Sequence, residues 1–194
     1  MVSKNFRQAQ KKVLTILDQS YFPISAVHRY QNGNDHFYTT ELTEIGVANV
    51  GMVGNHGYKY EGPGFRVLAN QEEGAVALYR YWNPEVIDHF YTTNLTEINV
   101  TDVGKVGNYG YKLEGVLGYC FSIPTVGTMP LHQYYNRELN DHFYTINFEE
   151  LGSCSSGQKR QCSGPHADWH NARYEGIQCY VFPEQAVSSR IVVP

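Results

Sequence analysis

The sequence predicts an all-β domain in which three related segments of ~50 residues close around a shared axis, as in a β-trefoil. Three observations carry the prediction. The stretch NDHFYTTELTEIG beginning at Asn34 returns as IDHFYTTNLTEIN from Ile87 and as NDHFYTINFEELG from Asn140, placing Asp35, Asp88 and Asp141 at equal steps of 53 residues. Around each copy the side chains alternate with the period of a half-buried strand. Sixteen tyrosines and nine phenylalanines against 18% charged residues describe a chain built for strands and partly wetted aromatic surfaces.

Taken in order, residues 1–22 predict an amphipathic N-terminal helix, with Phe6, Gln10, Val13 and Leu17 on one stripe, placed to cover an open end of the barrel. A three-repeat β domain spans 23–182, with repeats at about 27–70, 77–123 and 131–182, and 183–194 form a tail. Each repeat opens on a strand (VHRYQN, LYRYWN, LHQYYN) and turns at the Asp into HFYTT or HFYTI as its hairpin partner. Glu41 to Glu44, Asn94 to Glu97 and Asn147 to Glu150 then resemble helix starts, a cap followed three residues later by an acid, so each repeat holds a short helical turn. Beyond it a shared Glu-Gly (Glu61-Gly62, Glu114-Gly115, Glu175-Gly176) separates two further strand-like runs, giving four strands per repeat. Such a unit cannot bury its apolar face alone, and closure about an axis hides the sheet edges.

The residues YRYWNP, DHFYTT and YKLEG, with a closing aromatic strand, resemble a family of short tandem repeats of unknown function found beside cell-wall or extracellular modules. The likeness spans about residues 27–182 and is best in the middle copy; the first copy lacks Asn-Pro and the third carries a cysteine-bearing insertion. The resemblance implies carbohydrate or surface binding.

Sugar recognition needs an aromatic face for the apolar side of the ring and polar groups that bridge hydroxyls. Each repeat offers them, and the candidate ligand-binding residues are Asn32, Asp35, His36 and Asn55 in the first, Trp82, Asn83, Asp88, His89 and Asn108 in the second, and Tyr135, Asn136, Asp141, His142 and Asn171 in the third. Trp82 and Tyr135 stand where the first copy has Gln31, as stacking platforms. The competing reading is structural: the Asp closes a turn by bonding backbone N–H groups, and the repeats are scaffold for their own packing or for a protein partner. Three weak sites on one rigid body gain from multivalent attachment to a glycan surface, whereas a catalyst gains little from triplication, so the expectation is a non-catalytic lectin-like protein without an organic cofactor.

A net charge of −4 with mixed signs gives no electrostatic footprint for nucleic acid or an anionic membrane, and no apolar run approaches the roughly 20 residues that span a bilayer. Four cysteines and the sequons at Asn94 and Asn99 favour a secreted origin; the lack of a signal core leaves a cytoplasmic one open. Cys154 and Cys162 are a disulfide candidate or, with His166 and His170, a zinc set, and the metal assignment is none. Cys120 and Cys179 share a strand-face parity, as buried thiols or as a bridge; the spacing does not choose.

Overall fold

A computed structural model describes residues 22–151, 169 and 172–184. The expected N-terminal helix, most of the tail, Asn171 and the cysteine-bearing insertion lie outside the described residues. What remains is an all-β fold of nine strands: β1 (Ile24–Asn32), β2 (Asp35–Thr39), β3 (Lys59–Leu68), β4 (Ala75–Asn83), β5 (Asp88–Thr92), β6 (Lys112–Phe121), β7 (Met129–Asn136), β8 (Asp141–Thr145) and β9 (Arg173–Val181). Two one-turn helices intervene, α1 (Leu42–Ile45) and α2 (Leu95–Ile98), and a 3-10 turn at Phe148–Glu150 stands in the corresponding place of the third segment. No helix among the described residues is long and apolar enough to cross a membrane.

Each segment is a three-stranded antiparallel sheet with its first strand in the middle: β1 pairs β2 and β3, β4 pairs β5 and β6, and β7 pairs β8 and β9. The expected four strands per segment become three, because the Glu-Gly pair does not end a strand. Arg29, Arg80 and Gln133 lie opposite Gly62, Gly115 and Gly176, and the register shifts on both sides of each pairing. These are bulges, with the glycines at φ +122°, +155° and +122° absorbing a backbone geometry that a side chain would resist. The strand bends and continues, and the bulge turns the preceding glutamate toward the residue opposite the glycine.

The closing strands meet at Leu68↔Tyr119, Phe121↔Tyr180 and Arg66↔Phe182. Cys120 and Cys179, buried on β6 and β9, form a disulfide that closes a sequence separation of 59 residues. They belong to the central cluster with Val27, Phe65, Val67, Leu78, Leu131 and Val181.

Through the same core runs a ring of Tyr38, Tyr91 and Tyr144, all but sealed from solvent. The Tyr91 hydroxyl accepts from the Tyr38 N–H (2.7 Å) and donates to the Tyr38 carbonyl (2.9 Å). Tyr144 does the same for the Tyr91 backbone, and Tyr38 for that of Tyr144. β2, β5 and β8 do not pair with one another, so these phenols supply bonds that a ladder would otherwise provide. Sealed this way, the phenols are held far above their ordinary pKa, chiefly by burial, and act only as neutral donors and acceptors.

Candidate functional site

The three motif aspartates were expected on a rim facing ligand; instead all three are fully buried. Asp35 Oδ1 accepts the His89 backbone N–H (2.8 Å) and Oδ2 lies 2.7 Å from His89 Nδ1. Asp88 holds His142 (3.0 and 2.6 Å) and Asp141 holds His36 (3.1 and 2.6 Å) in the same way. Every pair therefore bridges two segments, and the third returns to the first. Tyr58 and Tyr111 donate hydroxyl bonds to Asp35 and Asp88. At the matching place before β9 stands Ala172, so Asp141 lacks a tyrosine donor. Burial, then the charges of Asp88 and Asp35, push the Asp141 carboxyl well above the usual carboxylate range.

Carboxylate oxygens of the three aspartates lie within 4.8 Å of one another, a spacing that could hold a cation. The donor geometry argues for another use: each carboxylate already accepts a backbone N–H and a ring nitrogen, and two also accept a phenol. As ligand-binding residues, Asp35, Asp88 and Asp141 are thus corrected to structural ones. His36 and His89 go with them, buried at 0% and 7%, while His142 keeps partial exposure. The postulated zinc set of Cys154, Cys162, His166 and His170 lies outside the described residues.

The asparagines are committed in part. Asn32 and Asn83 donate to the carbonyls of His56 (2.8 Å) and Tyr109 (2.7 Å), and Asn55 and Asn108 donate to those of Glu44 (3.2 Å) and Glu97 (3.0 Å). Asn136 accepts the backbone N–H groups of Glu138 and Leu139 and is buried. These bonds fix turns, which is where small amides do most work. Trp82 and Tyr135 are half-buried and spend one ring face on a histidine, Trp82 on His89 (4.4 Å between centroids) and Tyr135 on His142 (4.5 Å).

Residues absent from that reading shape the spaces between segments. Arg29 Nε pairs with the bulge residue Glu61 (2.7 Å) and its Nη2 with Glu150 of the third segment (2.8 Å). Its guanidinium lies 4.8 Å from the centre of the Phe143 ring. Arg80 repeats the arrangement on Glu114 (2.9 Å), Glu44 of the first segment (2.9 Å) and the Phe37 ring (4.9 Å). Burial alone would favour discharge of either guanidinium; the paired carboxylates overrule it and hold both firmly charged. Glu44 and Glu150, which the sequence offers as capping-box acids, therefore reach sideways to an arginine and to Thr39 and Thr145. At the third such position stands Gln133, whose amide donates to Glu175 (2.8 Å).

Clefts open between the segments, and two of them are lined in part by Arg29 and by Gln133 respectively. The first, of about 490 Å³, is lined by Arg29, Gln31, Lys59, Glu61, Leu139, Glu150 and Trp169 among others. The second, of about 580 Å³, is lined by Asn83, Val86, Phe90, Glu97, Tyr109, Tyr111, Gln133, Tyr135, Asn140, His142, Arg173 and Glu175. Tyr109 stands at its mouth, 81% exposed and at φ +58°. A bulky side chain held in left-handed backbone and turned to water has no packing reason to be there.

Residues 25–182 match the profile of a domain of unknown function, DUF5648, a stretch that takes in all nine strands. The chain belongs to the DUF5648 family. No curated protein and no solved structure matches it. Family membership thus adds no chemistry, and the function of this DUF5648 chain has to be argued from its clefts.

Proposed function

We propose that this protein is a non-catalytic, lectin-like binding domain whose carbohydrate site is the second cleft, between the second and third segments. One observation carries the reading: Tyr109, Tyr135 and Val86 line the same cleft as Asn83, Asn140, Glu97, Arg173 and Glu175. Sugar faces stack on such rings while hydroxyls bridge amides, carboxylates and guanidinium groups. We also read the three segments as turned about one axis through the aspartate and tyrosine rings, the trefoil-like closure that the sequence predicts, here with three strands per segment. The cyclic order of the His–Asp and Tyr–Tyr bonds supports it.

This changes what the repeated motif is for. DHFYT is the fastening that brings segments together, and its conversion to binding is indirect, through the clefts it leaves between them. The partner is a glycan or glycoconjugate surface, engaged by one principal cleft and not by three equal sites. A glycan array at high protein density tests the proposal, with retention expected on a subset of sugars and lost in Tyr109→Ala at an unchanged melting temperature. No retention on any sugar surface overturns it and leaves the scaffold reading, in which the same sealed ring serves a protein-interaction module.

A further inference from the structure

In the first two segments the surroundings of the residue opposite the bulge glycine are completed by an arginine of this chain. Arg29 lies between Glu61, Glu150 and the Phe143 ring, and Arg80 lies between Glu114, Glu44 and the Phe37 ring. In the third segment the same surroundings are present as Glu175, Glu97 and the Phe90 ring, and the chain supplies Gln133. Glutamine is shorter and uncharged. Its amide reaches only Glu175, and Phe90, 8% exposed, lines the cleft, whereas the Phe143 ring lies under Arg29.

Glu97 marks the vacancy most clearly. Its counterparts Glu44 and Glu150 each hold an arginine and a threonine hydroxyl. Thr92, the matching threonine, instead accepts from Gln178 (3.0 Å). Among the described residues the Glu97 carboxylate has neither hydrogen bond nor ion pair. Other ionisable groups facing the cleft are Glu175, Arg173 and His142; Arg173, 70% exposed, meets Glu175 from the solvent side at 2.5 Å. Lys59 and Lys112 occupy that strand position in the other segments, so Arg173 is no substitute for the missing cation.

We infer that the second cleft contains a subsite for an organic cation, formed by Glu97, Glu175 and the Phe90 ring, and that the carbohydrate it takes carries a free amino group. A carboxylate pair beside an aromatic face suits a guanidinium or primary ammonium, and two copies of the arrangement inside this chain already hold one. The amino-sugar half of the inference rests on the carbohydrate reading above; the cation subsite does not.

Titration calorimetry and melting curves on the full chain test both halves. Methylguanidinium, a probe of the subsite alone, should bind the native chain and raise its melting temperature, and Glu97→Gln should weaken that binding about tenfold without lowering the melting temperature. Gln133→Arg should abolish the binding, since the chain then fills its own subsite. Failure of methylguanidinium to bind overturns the subsite, as does binding unchanged in both variants. Glucosamine oligomers should bind about tenfold tighter than their N-acetylated counterparts. Equal binding of the two, or binding of neither, overturns the amino-sugar assignment; the carbohydrate reading falls only if the glycan array also shows no retention.

Discussion

The two clefts share one element of their construction and differ in the side chain that sits on it, Arg29 in the first and Gln133 in the second. Each is walled by a glutamate turned inward at a bulge and a second glutamate from the neighbouring segment; the phenylalanine of that neighbour's DHFYT strand lies under Arg29 in the first and lines the second. In the first, Arg29 pairs both acids; in the second, Gln133 reaches one acid only, and among the described residues the other has no partner. A space the chain fills itself is architecture, and the same space left short is available to a ligand. The lesson is that function here is to be sought where the three segments depart from one another, and stability where they agree.

The largest expected effect removes what both clefts depend on equally. Tyr91→Phe strips two bonds from the Tyr38 backbone, an N–H and a carbonyl at a residue all but sealed from solvent. The cost should be about 4 kcal/mol, taking about 2 for each stranded group, and chemical denaturation of the purified variant measures it. A loss below about 1 kcal/mol would mean that the tyrosine ring is not what joins the segments.

Arg29→Ala should come next, at about 3 kcal/mol, because Glu61 and Glu150 lose a shared partner at partly buried positions. It also turns the first cleft into the second. Millimolar methylguanidinium should then restore part of the lost stability in Arg29→Ala, and a variant that the probe leaves unchanged would refute the equivalence of the clefts.

Asp141 separates the repeated ring itself into unequal parts. Asp35 and Asp88 each accept a phenol, and Asp141, with none, has its carboxyl raised by burial and by the other two charges. A folded pKa above the unfolded one stabilises the fold fully below the ordinary carboxylate range, and that contribution is lost as pH rises through the elevated value. Asp141→Asn mimics the protonated acid, so its penalty should stay within about 1 kcal/mol at acidic pH, and the fall in stability as pH rises should flatten. Asp35→Asn loses a site that takes three donors and should cost about 2 to 3 kcal/mol. Melting curves from pH 4 to 9 for both variants decide it; an Asp141→Asn curve as steep as the native one would contradict the assignment.

How much of this was legible in the sequence follows from the range of the interactions. Period, strand alternation and hairpin turns are local, and they gave the all-β class. The Glu-Gly pair was misread because a bulge and a strand break share a glycine signature, and only the partner strand distinguishes them. Asp35 and His36 stand next to each other and look like a pair, yet the histidine of Asp35 is His89, a separation of 54 residues. Cyclic pairing between copies leaves no trace within any one copy. The decisive column was nevertheless visible: the aligned strands VHRYQN, LYRYWN and LHQYYN read Arg, Arg and Gln at their third letter. What hid its meaning was the acid three residues into each helical turn, which helix capping explained too readily.

The smallest effect sharpens the comparison furthest, since it separates stability from binding at a single backbone position. Tyr109 and its counterpart His56 both sit in left-handed backbone, at φ +58° and +57°, on exposed turns. Glycine accepts that conformation without strain, which a side chain meets at roughly 1 to 2 kcal/mol, and gives back some of the gain through a freer unfolded chain. Tyr109→Gly and His56→Gly should therefore each raise stability by about 0.5 to 1 kcal/mol. Only Tyr109→Gly should lose retention on a glycan surface, because only Tyr109 presents a ring at the mouth of the second cleft. Equal retention in the two variants would show that the strained tyrosine serves no ligand, and would remove the one aromatic that the fold itself has no use for.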